Sequence, residues 1–264
     1  MPKLIASDLD GTLLGADGTV SPRTAAALRT ARASGAGFVM VTGRPARWIH
    51  QIADQVDHAG YAICANGALI YDLSTEQVVS SSCIPPRTLG EVVARLRDAF
   101  PDLRFAVEYG QGFVFEARFN LGSWDAKALQ GRPVDDAELI ATPAVKLLAL
   151  HPTADPTELA DRAAKEVGDL VTVTHSSFRA LLEISALGVT KATALAGYCD
   201  ARGLTAADVV AFGDMPNDLP MLAWAGRPYA MANAHPAVLA AVADHTGANT
   251  EDGVAQVLER LFPG

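Results

Sequence analysis

Leu4-Ile5-Ala6 leads without a break into Asp8-Leu9-Asp10-Gly11, so a short apolar strand ends on two acids and a turn. An apolar run bounded in this way belongs inside a sheet covered on both faces. A helix is predicted next from Ser21-Pro22, an N-cap and first-turn pair, with Ala25, Leu28 and Ala31 on its faces up to Gly35. Phe38-Val39-Met40-Val41 then reads as a second buried strand, stopping at Thr42-Gly43-Arg44-Pro45 where a new helix can begin. Two strand-loop-helix units in succession imply an α/β fold with a Rossmann-like parallel-sheet core.

The pattern then changes twice. Tyr61 to Cys64, the Asn66-Gly67 turn and Ala68 to Tyr71 read as a hairpin rather than a crossover. From Cys83-Ile84-Pro85-Pro86 onward, runs of strand stand beside runs of helix, which predicts an inserted α+β domain. Its expected elements are a helix from Leu89 to Ala99, strands at Phe105 to Tyr109 and Phe113 to Phe115, and an irregular stretch from Gly131 to Pro143. They continue with a strand at Val145 to Leu150, a helix at Pro156 to Val167 and strands at Leu170 to Thr174 and Ala180 to Ile184. The alternation returns with a helix from Thr190, a strand at Val209 to Phe212, a short run at Tyr229 to Met231 and a last helix from Glu251 to Leu261. The expected division is a core of residues 1–82 and 187–264 with an insert of residues 83–186.

With 264 residues, half of them hydrophobic and 19% charged, the chain has enough apolar material for two packed bodies, which excludes disorder as its main state. A net charge of −9 argues against nucleic acid or an anionic membrane as a partner. Cys64, Cys83 and Cys199 are far apart and form no CxxC, so they read as small packed residues of a reducing cytoplasm. No apolar run approaches the roughly 20 residues of a membrane helix, and the six histidines show no metal-ligand spacing. The expected location is cytoplasmic.

Four clusters fall where strands end, the edge at which open α/β sheets bind ligands: Asp8/Asp10, Thr42-Gly43, Lys191 and Asp214/Asn217/Asp218. Taken singly, these are ordinary turn acids, a common Thr-Gly turn and a surface lysine. Taken together, Asp8, Asp10, Asp214 and Asp218 describe a hard all-oxygen site suited to Mg²⁺, because like charges so close need a cation among them. Thr42 and Gly43 offer a hydroxyl and a close backbone N–H to phosphoryl oxygens, and Lys191 follows Thr190, a plausible N-cap. Pro220 must lie in the first turn of its helix, so that helix should begin near Asp218, with Asn217 and Asp218 beside Asp214.

Asp8-Leu9-Asp10-Gly11-Thr12-Leu13-Leu14, Val41-Thr42-Gly43-Arg44, Lys191 and Gly213-Asp214-Met215-Pro216-Asn217-Asp218 resemble the four ordered motifs of the haloacid dehalogenase superfamily. Ala65-Asn66-Gly67-Ala68, Met231-Ala232-Asn233-Ala234 and Glu251-Asp252-Gly253-Val254-Ala255 resemble further signatures of its Cof-type branch. Thr42 and Lys191 stand roughly 150 residues apart, far beyond the dozen or so that a crossover needs; in that family such an insert is a cap, here resembling the C2B form. One departure is Ala192, where relatives often carry Gly.

The resemblance implies a phosphatase acting on a small phosphorylated metabolite, a sugar phosphate or similar, through an aspartyl phosphate. Asp8 would be the nucleophile and Asp10 the general acid and base. Asp8, Asp10, Asp214 and Asp218 would hold Mg²⁺, and Thr42, Gly43, Lys191 and Asn217 would hold the phosphoryl group. Arg44 and the loop residues Ser176, Ser177 and Arg179 are further candidates for substrate contact, although a solvated hairpin explains that loop equally well. A cap of this type would open for substrate and close to exclude stray water. A sugar phosphomutase of the phosphomannomutase type and a noncatalytic phosphate-binding regulator are the alternatives. A Rossmann dehydrogenase and a P-loop enzyme are disfavoured, because no GxGxxG or P-loop pattern follows the first strand.

Overall fold

The computed structural model describes residues 1–110, 112–119, 131–176 and 179–263. The chain divides into two compact units, the first formed by residues 1–80 and 190–264 and the second by residues 81–189. Elements are numbered along the chain through both units.

Unit 1 begins with β1 (Leu4–Ser7), α1 (Pro22–Ala33), β2 (Gly37–Val41), α2 (His50–Ala53), β3 (Tyr61–Cys64), β4 (Leu69–Asp72) and β5 (Gln77–Ser81). All four residues of β1 are buried, as a central strand covered on both faces requires. The Ser21 side chain caps α1 by accepting from the Thr24 N–H, and Pro22 fills a first-turn position where no N–H is needed. One face of α1 buries Ala27, Leu28 and Ala31.

Unit 2 runs through α3 (Pro86–Ala99), β6 (Arg104–Glu108), β7 (Phe113–Glu116), β8 (Gly131–Val134), α4 (Asp136–Leu139), β9 (Lys146–Leu150), α5 (Pro156–Val167), β10 (Val171–Thr174) and β11 (Leu181–Ala186). Among the described residues its sheet has the order β10-β11-β9-β6-β7-β8, antiparallel except for β7 against β8. Leu89, Val92, Val93 and Leu96 of α3 and Leu159, Ala163 and Val167 of α5 follow helical spacing and bury one stripe. They share a core with Phe105, Val107, Leu147, Ala149, Leu182 and Ile184, alternate residues from one face of the sheet. Lys146 and Glu183 belong to the opposite set of positions and form a buried ion pair at 2.5 Å. The stretch from Gly131, expected to be irregular, contains β8 and α4 instead: strand pairing with β7 and an Asp135 cap that accepts from the Glu138 N–H organise it.

The chain returns to unit 1 with α6 (Lys191–Asp200), β12 (Val209–Gly213), α7 (Leu219–Trp224), β13 (Arg227–Met231), α8 (Pro236–Ala241), β14 (His245–Thr246) and α9 (Gly253–Leu261). Among the described residues the sheet order is β14-β13-β12-β1-β2-β3-β4-β5, with β1 pairing in parallel with both β2 and β12. The hairpin expected after Tyr61 is the antiparallel β3–β4 pair. The last helix starts two residues later than expected, because Asp252 takes a left-handed conformation (φ 58°) between a short 3-10 turn and α9. The three cysteines are free thiols, two of them buried. Among the described residues no helix is long and apolar enough to cross a membrane.

Candidate active site

Because β1 and β12 are parallel neighbours in register, Ser7 opposite Phe212, the segments that leave them emerge side by side. Asp8 follows β1 and donates its backbone N–H to the Phe212 carbonyl at 3.0 Å. Asp214 follows β12, and the turn after it winds through a 3-10 segment, Pro216–Asp218, into α7. Pro220 lies in the first turn of α7, where its missing N–H costs nothing.

Carboxylate oxygens of Asp8, Asp214 and Asp218 lie within 4.8 Å of one another, and all three residues are buried. Lys191, the first residue of α6, stands among them, 1% exposed, with Nζ donating to Asp8 Oδ1 and Asp218 Oδ1 at 2.6 Å each. Its position is set by a capping box in which the Thr190 hydroxyl accepts from the Thr193 N–H and the Thr193 hydroxyl accepts from the Thr190 N–H. The other Asp218 oxygen accepts from the backbone N–H groups of Asp214 and Met215, both at 3.0 Å. Asp214 Oδ1 accepts from the Thr12 hydroxyl at 2.9 Å. Gly11 is required here twice over: its φ is +78°, and a Cβ would come within 2.2 Å of Asp214 Oδ2.

One lysine cannot compensate three buried carboxylates. Burial, opposed by Lys191 and reinforced by Asp218 and Asp214, holds the Asp8 carboxyl well above the usual range. Burial and the charge of Asp218 push Asp214 up to about 7. Burial works against the Lys191 ammonium, yet Asp218 and Asp8 together hold its pKa above the ordinary lysine value. This donor set is all oxygen, anionic and short of positive charge, which fits a hard divalent cation.

On the other side of β1, Thr42 follows β2, is 1% exposed, and accepts through its hydroxyl from the Arg44 N–H at 3.1 Å. Gly43 lies between them, partly exposed. Arg44, a candidate substrate contact, is engaged by Asp10: Nε and Nη2 donate to its two oxygens at 2.8 and 2.5 Å. The Asp10 side chain is 61% exposed, and its charge still adds to the upward shifts of Asp8 and Asp214. Asn217 is buried and donates from Nδ2 to Asn66 Oδ1 at 3.1 Å. Asp8, Asp10, Thr42, Gly43, Arg44, Lys191, Asp214, Asn217 and Asp218 thus all belong to unit 1. Ser176 and Arg179 belong to unit 2, half-buried and exposed respectively, between β10 and β11; Ser177 lies outside the described residues. Sequence reasoning assigned no role to Thr12 or Asn66, although both stand inside quoted motifs as polar residues next to glycine.

The family described as haloacid dehalogenase-like hydrolase matches residues 5–258. The pyridoxal phosphate phosphatase YbhA of Escherichia coli (strain K12) is 29% identical over 276 residues, covering 97% of each chain. The 5-amino-6-(5-phospho-D-ribitylamino)uracil phosphatase YcsE of Bacillus subtilis (strain 168) is 30% identical over 257 residues, covering 97% of this chain and 94% of its own. Among solved structures, SMU.1108c from Streptococcus mutans UA159 superposes with a TM-score of 0.88 at 22% identity, covering 100% of both chains.

Proposed function

Because the chain belongs to the haloacid dehalogenase-like hydrolase family and is a phosphoric monoester hydrolase, we propose that it is a Mg²⁺-dependent phosphatase of small phosphorylated metabolites, sugar phosphates or similar, working through an aspartyl phosphate on Asp8. The observation that carries this reading is the buried set of Asp8, Asp214 and Asp218 around Lys191 at the carboxyl ends of the parallel neighbours β1 and β12.

An oxygen of Asp8 attacks phosphorus in line with the ester oxygen, the P–O bond to the leaving group breaks, and Asp10 gives that oxygen its proton. Water then attacks the aspartyl phosphate, Asp10 takes the proton, and Asp8 leaves as a carboxylate with inorganic phosphate released. Splitting the hydrolysis this way lets one carboxyl serve as acid and then as base. The two hydrogen bonds that Arg44 donates to the oxygens of Asp10 fix where that carboxyl stands. Thr42, Gly43, Lys191 and Asn217 are assigned to the phosphoryl oxygens, whose charge in the transition state they offset.

Mg²⁺ would be held by the Asp8 side chain, the Asp10 backbone carbonyl and Asp214, with Asp218 supporting them. When bound, it supplies positive charge against the phosphoryl oxygens and the ionised carboxylates.

The test is release of phosphate from p-nitrophenyl phosphate and a panel of phosphate esters. Activity should need added Mg²⁺, disappear with excess EDTA and disappear in a folded Asp8→Asn variant. Full turnover in EDTA, or near-normal turnover by Asp8→Asn, would sink the assignment.

A further inference from the structure

The turn between β3 and β4, Ala65-Asn66-Gly67, touches every loop to which phosphoryl binding is assigned. Its backbone holds the loop after β2: Ala65 N–H donates to the Arg44 carbonyl at 2.9 Å, and Asn66 N–H donates to the Thr42 carbonyl at 3.0 Å. Its side chain holds the loop after β12, through Asn66 Oδ1 and Asn217 Nδ2. Its glycine abuts the start of α6, for a Cβ on Gly67 would come within 2.3 Å of the Thr190 carbonyl, one residue before Lys191. Ala65 and Asn66 both have positive φ, 51° and 58°, a conformation that asparagine tolerates and alanine resists. Neighbouring contacts over-determine such a turn.

We infer that Asn66 is a positioning residue that fixes the Asn217 amide as a donor towards the phosphoryl group; this rests on the function proposed above. An asparagine amide presents two donors at one end and an acceptor at the other, and a half-turn about its terminal bond exchanges them. Turned the wrong way, Asn217 would set a carbonyl oxygen against an anion. Asn66 Oδ1 accepts only from the nitrogen end, so its bond selects the orientation that leaves the second Nδ2 hydrogen as a donor. Among the described residues Asn217 Oδ1 has no hydrogen-bond partner, so no bond to that oxygen sets the orientation. Asn66 is 2% exposed, and the role inferred for it is exerted through Asn217 and the turn.

The experiment compares wild type, Asn66→Gly, Asn66→Asp, Asn217→Ala and the Asn66→Gly/Asn217→Ala double variant in steady-state p-nitrophenyl phosphate hydrolysis with Mg²⁺, alongside thermal melts. Glycine keeps the left-handed backbone and removes the acceptor; aspartate keeps both. Asn66→Gly should lose roughly tenfold or more in kcat with KM within about threefold, the split expected when a transition-state contact is lost. Asn66→Asp should stay within about fivefold of wild-type kcat, and the double variant should fall no lower than Asn217→Ala, because the two residues act as one unit. Wild-type kcat in a folded Asn66→Gly, or losses that multiply in the double variant, overturn the inference. Should Asn66→Gly fail to fold, Asn66→Asp decides alone, and a loss as deep as that of Asn217→Ala overturns it. Failure of the functional reading shows separately, as a wild-type protein that hydrolyses no ester in the panel.

Discussion

Lowering the pH should loosen the cation before it unfolds the protein, and the size of the effect follows from Asp214. Its carboxyl titrates near 7 in the cation-free site, because it is buried and faces Asp218. A divalent cation needs the carboxylate, so proton and metal compete for it. With one proton titrating at about 7, the ionised fraction is about nine-tenths at pH 8 and about one-tenth at pH 6, so the apparent affinity for Mg²⁺ should fall about tenfold between them, close to 1.4 kcal/mol. Asp8, pushed upward mainly by burial, makes the fall steeper rather than shallower. Calorimetric titration with Mg²⁺ or Mn²⁺ at pH 6, 7 and 8 measures the slope. Repeating it at pH 6 in two buffers of different ionisation enthalpy should show about one proton released per cation bound. Asp214→Asn should bind more weakly but with a flatter pH profile. An affinity constant within twofold from pH 6 to 8 in the wild type, with no proton released, would refute the account of the site as three carboxylates short of positive charge.

Replacing Lys191 by Met leaves Asp8 and Asp218 buried without their shared cation; chemical denaturation in EDTA at pH 8 should show a loss of about 3–5 kcal/mol, smaller when Mg²⁺ is present. Gly11→Ala should lower both the melting temperature and Mg²⁺ affinity, since the new methyl group meets Asp214 and the backbone there is left-handed; an unchanged affinity would contradict the geometry. In EDTA, Asp214 has a folded-state pKa raised from 3.8 to about 7, so the stability it contributes is complete below pH 4 and is lost as pH rises through 7. The difference in unfolding free energy between wild type and Asp214→Asn should accordingly move by on the order of 4 kcal/mol across that window, and a difference independent of pH would count against it.

What could be read from the sequence was whatever local chemistry decides. Ser21-Pro22 and Thr190 start helices because a side-chain oxygen must satisfy the first free N–H groups, and both cap as expected. Pro220 predicts where its helix can begin for an equally local reason. β8 escaped because Gly131-Arg132-Pro133-Val134 has no apolar alternation and includes a proline, as a strand at the edge of the sheet among the described residues is free to do. The bonds Thr12–Asp214 and Asn66–Asn217 join residues 202 and 151 positions apart, and only the sheet order brings them together. The engagement of Arg44 by Asp10 was hidden for the same reason: a side chain's charge is legible in a sequence, its partner is not.

The three buried acids are not equivalent, and their hydrogen bonds explain the division of labour proposed for them. Asp218 is engaged through both oxygens, by two backbone amides on one and by Lys191 on the other. A carboxylate saturated in this way is a poor first choice as a direct ligand, since binding a cation would cost it bonds it already makes. Its charge still acts, raising the pKa of Lys191 and of Asp214 together. Asp8 and Asp214 are each engaged through one oxygen, by Lys191 and Thr12 respectively. They are therefore better placed to give an oxygen to a cation, and Asp8 to phosphorus as well. Lys191 ties Asp8, the proposed nucleophile, to Asp218, whose amide bonds tie it in turn to the backbone after β12, so the Asp8 carboxylate is held by strand ends rather than by a flexible loop.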